Sequence, residues 1–353
     1  MNYAIIAAGE GSRLAQEGVN EPKPLVKVQN EHLIDRLIRV FMDNDAEKIT
    51  IICNSLTTKV SQHLLKLEED GLNGRPVPLN FIVKTTPSSM HSFYELSKLL
   101  DEKPFVMTTV DTIFKAEEFG KYISEFRNCI NAGYDGLMGV TDFIDDEKPL
   151  YVGSDEEMNV TGFFDSNENG CKYISGGIYG LNARALDTLN DCMERGESRM
   201  RNFQRGLIRD GRKLKAFAFS KVMDIDHAED IVKAEQFLGQ EALLYFSELI
   251  AVARSLGIND LIVDPGFGFA KTLEQNYEML QKMELFQQLK LPVLVGISRK
   301  SMIYKTLNNN ASESLNGTTT LNTISLLKGA NILRVHDVKE AVECVTLFNK
   351  MNS

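Results

Sequence analysis

Cysteine is scarce and scattered. The five, Cys53, Cys129, Cys171, Cys192 and Cys344, include no Cys-x-x-Cys pair. That excludes a zinc knuckle and a disulfide framework, and it points to a reducing, cytoplasmic setting. Long apolar runs are also missing: none reaches eighteen residues, and Met1-Asn2-Tyr3 leads straight into a strand rather than a leader, so no membrane partner is expected. Positive charge is in deficit. At a net −10 and with no basic tail, the chain disfavours nonspecific nucleic acid, so any phosphate it handles must meet local cations or a metal ion. The opening glycine loop lacks the Gly-Lys-Ser/Thr ending of a Walker A loop. It also lacks the third glycine of a dinucleotide fingerprint, having Leu14 and Ala15 there.

What is present is organised around residues 1–25. A short apolar run, Tyr3 to Ala8, feeds into Gly9-Glu10-Gly11-Ser12-Arg13, and Glu21-Pro22-Lys23-Pro24-Leu25 follows. This predicts a buried strand ending in a loop whose backbone can close on a ligand, since glycine has no Cβ to block the approach. The N–H groups of Ala8, Gly9, Gly11 and Ser12 form an anion cradle, with Arg13 and Lys23 as flanking cations. A nucleoside triphosphate suits such a cradle.

Further along, strand patterns at Ile49–Cys53 and Leu79–Val83 alternate with helical patterns at Leu33–Asn44 and Val60–Glu69. This predicts an α/β fold with a doubly wound, Rossmann-like sheet and a ligand beyond the carboxyl ends of its strands. Ser88 and Ser89 lie in a hydroxyl-rich loop before a helix, where they serve either as caps or as nucleotide contacts. Phe105 to Thr112 reads as a strand ending at Asp111, and a carboxylate at a buried strand tip is costly unless it is paired, hydrogen-bonded or on a metal. Gly136–Val140 and Gly162–Phe164 read as strands and Asp142 to Glu147 as an exposed acidic turn. Gly176-Gly177, inside the pattern Tyr173–Gly180, signals a bulge or a close ligand approach. Asp224 and Asp226 point to one face of an extended segment, where like charges repel unless a cation sits near them.

Strand, Ala-Ala-Gly-x-Gly-x-Arg and Pro-Lys-Pro-Leu together resemble the sugar-phosphate nucleotidyltransferases. The resemblance implies a mixed sheet of that family's type and transfer of a nucleoside monophosphate to a phosphorylated acceptor with release of pyrophosphate. It implies Mg2+ as cofactor, held by Asp111 and Asp226 with Asp224 in reserve. It also implies Ser88 and Ser89 near the nucleotide, and Gly176 and Gly177 near the acceptor. Arg13 would stabilise the leaving pyrophosphate and Lys23 would bind the phosphates. The family more often has glycine before the first aspartate, where this chain has Val110. A sugar 1-phosphate is the default acceptor, and the nucleophile is already ionised, so no general base is needed.

From Phe237 to Gln240 the pattern restarts with a helix over Glu241–Leu256, so the domains are expected at 1–239 and 240–353. Asp264-Pro-Gly-Phe-Gly-Phe, Gly296-Ile-Ser-Arg-Lys-Ser and Arg334-Val-His-Asp each read as the end of a buried strand followed by a helix. Consecutive (β/α) units of a barrel carry function at that rim. The three motifs resemble dihydropteroate synthase. The resemblance implies pterin contacts from Asp264 and Lys300, anion contacts from Arg334 and His336, and Ser298 and Arg299 near an aminobenzoate. The segment offers about three strands where that family's barrel has eight, so a partial barrel without synthase activity is expected. Its open edges and outer helices leave self-association of the chain open.

Overall fold

A computed structural model describes residues 1–9, 11–145, 148–168, 170–269 and 271–351. Glu10 of the opening loop and the Asp146–Glu147 end of the expected acidic turn lie outside the described residues. The chain divides into two compact units, Met1–Glu235 and Gln236–Ser353.

In the first unit, β1 (Asn2–Ala7), α1 (Ser12–Gln16), β2 (Lys27–Val28), β3 (Glu31–His32), α2 (Leu33–Met42), β4 (Lys48–Cys53), α3 (Thr58–Asp70) and β5 (Leu79–Val83) follow in order. Next come α4 (Ser89–Ser97), β6 (Phe105–Thr109), β7 (Thr112–Ile113), α5 (Ala116–Asn131), β8 (Gly136–Thr141), β9 (Tyr151–Ser154), β10 (Val160–Phe164) and β11 (Tyr173–Leu181). The unit's remaining elements are α6 (Arg184–Glu194), α7 (Met200–Arg209), β12 (Leu214–Phe219), β13 (Met223–Asp224) and the start of α8 (Ala228–Ser255). Among the described residues, nine of these strands form one sheet. Its main path is β10-β9-β11-β6-β1-β4-β5, with β8 pairing β11 and β12.

β1 lies parallel to both β4 and β6, whereas β11 runs antiparallel to β6 and β8. The sheet is therefore mixed. Alternation along β1 sends Ala4 and Ile6 into the core with Met90 and Phe93 of α4 and with residues of α6 and α7. Tyr3 turns the other way, stacking on Phe41 of α2 at 4.3 Å between ring centres, with Phe119 of α5 beyond. Both faces of β1 are covered, so all six residues are buried, as a central parallel strand requires. The Tyr3 hydroxyl donates to the carbonyl of Asn44 at 2.7 Å, which satisfies a polar group that this burial would otherwise strand.

Two features decide where the functional side chains go. Because β1, β4 and β6 are parallel, Ala8, Asn54 and Asp111 emerge at one rim. Because β11 is antiparallel to β6, its early residues Gly176 and Gly177 arrive at that same rim. β7 and β13 then form a separate two-stranded ladder, Thr112 with Asp224 and Ile113 with Met223.

The second unit departs from the expected barrel strands. No break precedes Glu241: α8 runs continuously across the expected helix start, because nothing between Ala228 and Ser255 carries a Gly–Pro signal strong enough to end it. The Asp260–Asp264 segment forms only a bridge between Val263 and Val293. Of the other two expected strands, β14 (Leu294–Val295) and β15 (Ile332–Leu333) form one short parallel pair. Ile332 is 36% exposed, so this strand is not buried as expected. α9 (Leu273–Gln281), α10 (Ser301–Thr306), α11 (Leu315–Leu327) and α12 (Val338–Met351) complete the unit. Its core gathers Val263, Phe267, Phe286, Val295, Ile297 and Met302.

Candidate functional site

Gly11 takes φ 62° and caps α1, so the loop folds back over Lys23, whose Cβ lies 3.2 Å from where a Cβ on Gly11 would stand. Any side chain there is both strained and crowded. Pro22 and Pro24 flank Lys23 in a single 3-10 turn, Lys23–Leu25, which presents the lysine from a nearly buried backbone. The Ala8 carbonyl accepts from Asn54 Nδ2 at 3.2 Å, and Asn54 in turn accepts from Thr85 at 2.7 Å. These bonds tie the rims of β1, β4 and β5 together.

Lys23 Nζ lies between two carboxylates, contacting Asp111 and standing 2.7 Å from Asp226 Oδ1. Arg13 Nη1 reaches the other oxygen of Asp226 at 3.3 Å. Arg13, Lys23, Asp111 and Asp226 therefore share one cluster. Burial would lower the Lys23 ammonium, but Asp111 and Asp226 outweigh it and hold the pKa above the ordinary lysine value. The β7–β13 ladder brings the aspartates together, and the Ile225 N–H donates to the Asp111 carbonyl at 3.2 Å. Asp224 faces out from the ladder and lines the adjoining cleft.

That cleft has a volume of about 710 Å³. Arg13, Asp226, Gly176, Lys148, Arg201 and Lys233 are among the side chains and backbone that line it. Gly176 and Gly177 form a bulge, since the β11–β8 register shifts between Ser175 and Ile178. Gly177 has φ 69°, and a Cβ there would lie 3.3 Å from Thr112 Oγ1. Ser88 caps α4, accepting from the His91 N–H at 3.4 Å and bonding His91 Nδ1 at 2.8 Å, and Ser89 is the first residue of that helix. Ser88 is thus engaged as a helix cap.

A clamp with no local sequence signal holds Asp226 in place. Glu17, just after α1, bonds His227 Nδ1 at 2.6 Å and accepts from the Ala228 N–H at 2.7 Å. Asp230 accepts from the N–H groups of Asp226 at 3.1 Å and His227 at 2.8 Å. The Ala228 and His227 bonds draw the Glu17 carboxyl below its ordinary value, and Glu17 raises His227.

Residues 3–241 match the family described as Nucleotidyl transferase. The chain belongs to the nucleotidyl transferase family. Residues 218–336 also match the family described as Pterin binding enzyme, so this nucleotidyl transferase carries a pterin-binding-enzyme domain at its C-terminal end. The two matches overlap at 218–241, where β12 and β13 belong to the first unit by their pairing with β8 and β7. The first unit shares its fold with a protein assigned as a glucose-1-phosphate thymidylyltransferase from Bacillus anthracis (TM-score 0.58, 18% identity, covering 67% of this chain and 94% of that one). It also shares it with the inositol-1-phosphate CTP transferase from T. maritima (TM-score 0.53, 17% identity, 65% and 90% covered). The C-terminal part is 48% identical over 103 residues to dihydropteroate synthase of Escherichia coli (strain K12), covering 29% of this chain and 36% of that protein. The nucleotidyl transferase thus spans about a third of the length of the curated relatives it matches. Among the described residues no helix is long and apolar enough to cross a membrane.

In the second unit, Arg334 Nη2 lies 3.4 Å from Asp264 Oδ2, and Lys300 donates to the Phe267 carbonyl with its ammonium 4.2 Å from the centre of the Phe269 ring. Burial first, and then Arg334, lower the Lys300 pKa. Ser298 Oγ bonds His336 Nδ1 at 3.0 Å. Arg299 is committed elsewhere, gripping Asp337 at 2.7 and 2.9 Å and the carbonyls of Ala311 and Ser312. Its guanidinium is held by the protein itself.

Proposed function

We propose that the first unit transfers a nucleoside monophosphate from a nucleoside triphosphate to a phosphorylated acceptor, with a sugar 1-phosphate as the first choice. An acceptor phosphate oxygen attacks the α-phosphorus, a new P–O bond forms, the bond to the β-phosphate bridge breaks, and pyrophosphate leaves. The acceptor oxygen is already anionic at neutral pH, so alignment and charge neutralisation carry the rate. The convergence of Arg13, Lys23, Asp111 and Asp226 on one point supports this reading above any other observation. Lys23 binds the phosphates at the reacting centre and Arg13 the departing pyrophosphate. Gly9 and Gly11 let the loop backbone approach the triphosphate, and Ala8 and Ser12 complete the cradle. The cleft beside Gly176 takes the acceptor, whose phosphate can meet the cations lining it.

Asp111 and Asp226 also suit Mg2+. Two carboxylates already converge on a single cation, the Lys23 ammonium, and hard oxygen donors are what this ion takes. When bound, the ion would supply positive charge against the triphosphate, and Lys23 would turn to the phosphates. The named acceptors of the two structural neighbours, glucose 1-phosphate and inositol 1-phosphate, support a phosphomonoester. The test is pyrophosphate release from each of the common triphosphates with a panel of sugar 1-phosphates. Turnover with one pair supports the reading, and no release with any of them sinks it.

A second reading concerns residues 236–353. The contact of Arg334 with Asp264, beside Lys300, favours a pterin subsite without synthase turnover, because two short paired strands do not close a barrel. Quenching of pterin fluorescence by the full chain tests it, with Asp264→Ala as the control.

A further inference from the structure

Away from the nucleotide cleft, three side chains meet that neither the nucleotide nor the pterin reading uses. His32 closes the β2–β3 hairpin, Asp35 sits in the first turn of α2, and His63 lies midway along α3. His63 Nε2 is 2.6 Å from Asp35 Oδ1, and His32 Nδ1 is 3.3 Å from Asp35 Oδ2. One ligand atom from each residue falls within 4.8 Å of the others, and the two imidazoles stand edge to face with ring centres 5.0 Å apart. The three side chains are between 14% and 24% exposed, so the cluster is sheltered but reachable from solvent.

The hydrogen bonds leave this cluster incomplete. His32 Nδ1 is buried and has no hydrogen-bond partner, although a carboxylate oxygen stands 3.3 Å away. A buried nitrogen left so costs free energy that a partner would recover. Two imidazole nitrogens and one carboxylate oxygen form the donor set that zinc and its first-row neighbours accept, while Mg2+ and Ca2+ prefer oxygen alone. Metal–ligand bonds of about 2.0–2.2 Å in tetrahedral array put ligand atoms roughly 3.4 Å apart, close to the His32–Asp35 spacing. The His63–Asp35 contact would open by several tenths of an ångström to admit the ion.

We propose that His32, Asp35 and His63 form a binding site for a zinc-class divalent cation, with a water or an added small ligand completing the coordination. The ion ties the start of α2 to α3. It also steadies the chain that leads from Lys23, because His32 pairs with Lys27 and the Leu33 N–H donates to the Val26 carbonyl at 3.0 Å. The site is separate from the Asp111–Asp226 pair and its chemistry is different, since that pair offers no imidazole.

The full chain, stripped with chelator and dialysed, is titrated with Zn2+ while Tm is followed, and with Co2+ while visible absorption is followed. The expected result is a Tm that rises with Zn2+ and a cobalt spectrum of the four-coordinate nitrogen/oxygen type. His63→Gln keeps a donor for Asp35 but loses the imidazole, and Asp35→Asn keeps the shape but loses the charge. Each should weaken Zn2+ binding by at least about tenfold. Asp226→Asn should leave the Zn2+ titration as it is. Wild-type behaviour in both His63→Gln and Asp35→Asn would overturn the site. So would a cobalt spectrum with thiolate charge-transfer bands, or loss of the Zn2+ response in Asp226→Asn. Circular dichroism of each variant separates lost metal from lost fold, and His63→Ala provides a second removal of the ligand.

Discussion

Lys23 Nζ holds Asp226 at 2.7 Å although 203 positions separate them in the chain, and the same ammonium contacts Asp111. A lysine set between two carboxylates has its charge fixed by them. On the proposed function, anionic oxygens of a phosphate chain compete with the aspartates for this cation. Lys23→Met should lower kcat for nucleotidyl transfer by about 10²–10³, by analogy with lost transition-state donors. Its stability cost should be on the order of 1–3 kcal/mol, since Asp111 is left nearly buried without its partner. Steady-state pyrophosphate release and urea unfolding measure the two effects, and an unchanged kcat would remove Lys23 from the reaction.

Arg13 separates rate from stability. Its side chain is 55% exposed and Asp226 is 47% exposed, so the ion pair contributes at most about 1 kcal/mol. Arg13→Ala should therefore move Tm by no more than about 2–4 °C. On the proposed assignment its kcat should still fall substantially, since there the charge serves the leaving pyrophosphate and not the fold. A large Tm loss with normal turnover would reverse this assignment.

The Glu17–His227 clamp is sensitive to pH from both sides. Glu17 lies below its ordinary value of 4.5 in the folded chain, so its contribution is present above pH 4.5 and fades as pH falls through the lowered value. His227 lies above its ordinary value of 6.5, so its contribution is complete below pH 6.5 and fades as pH rises through the raised value. The Tm difference between wild type and Glu17→Gln should thus be largest between pH 4.5 and 6.5 and should shrink toward alkaline pH. A difference that grows as pH rises above 6.5 would contradict the clamp.

Gly177 tests the bulge. With φ 69° and Thr112 Oγ1 3.3 Å from a would-be Cβ, Gly177→Ala should cost about 1–2 kcal/mol. Thr112 pairs with Asp224 in the ladder that ends two residues before Asp226, so activity should fall as well. Chemical unfolding gives the first quantity and pyrophosphate release the second.

For the C-terminal unit, the expected outcome is no dihydropteroate from a pterin pyrophosphate and 4-aminobenzoate. Product formation by the full chain, followed by chromatography, would overturn that expectation.

Local chemistry made much of the first unit legible. Period-two and period-3.6 patterns predict β5 to the residue, and β1, α2, β4, α3, β8 and β11 to within a few residues. The glycine loop, Lys23 between its prolines and the two aspartates at strand ends stand out by residue type and position. Tertiary structure alone decided what these residues do to one another. Asp226 meets Lys23 because a two-residue ladder, β7 with β13, folds a distant segment onto the rim, and two residues are too few to leave a periodic signal. Glu17 and His227 join across 210 positions and His32 finds His63 through helix packing, contacts that no local pattern encodes. The expected helix start at Glu241 failed for the opposite reason. Helical propensity is local and continuous there, whereas the division between compact units depends on which contacts the chain makes at a distance.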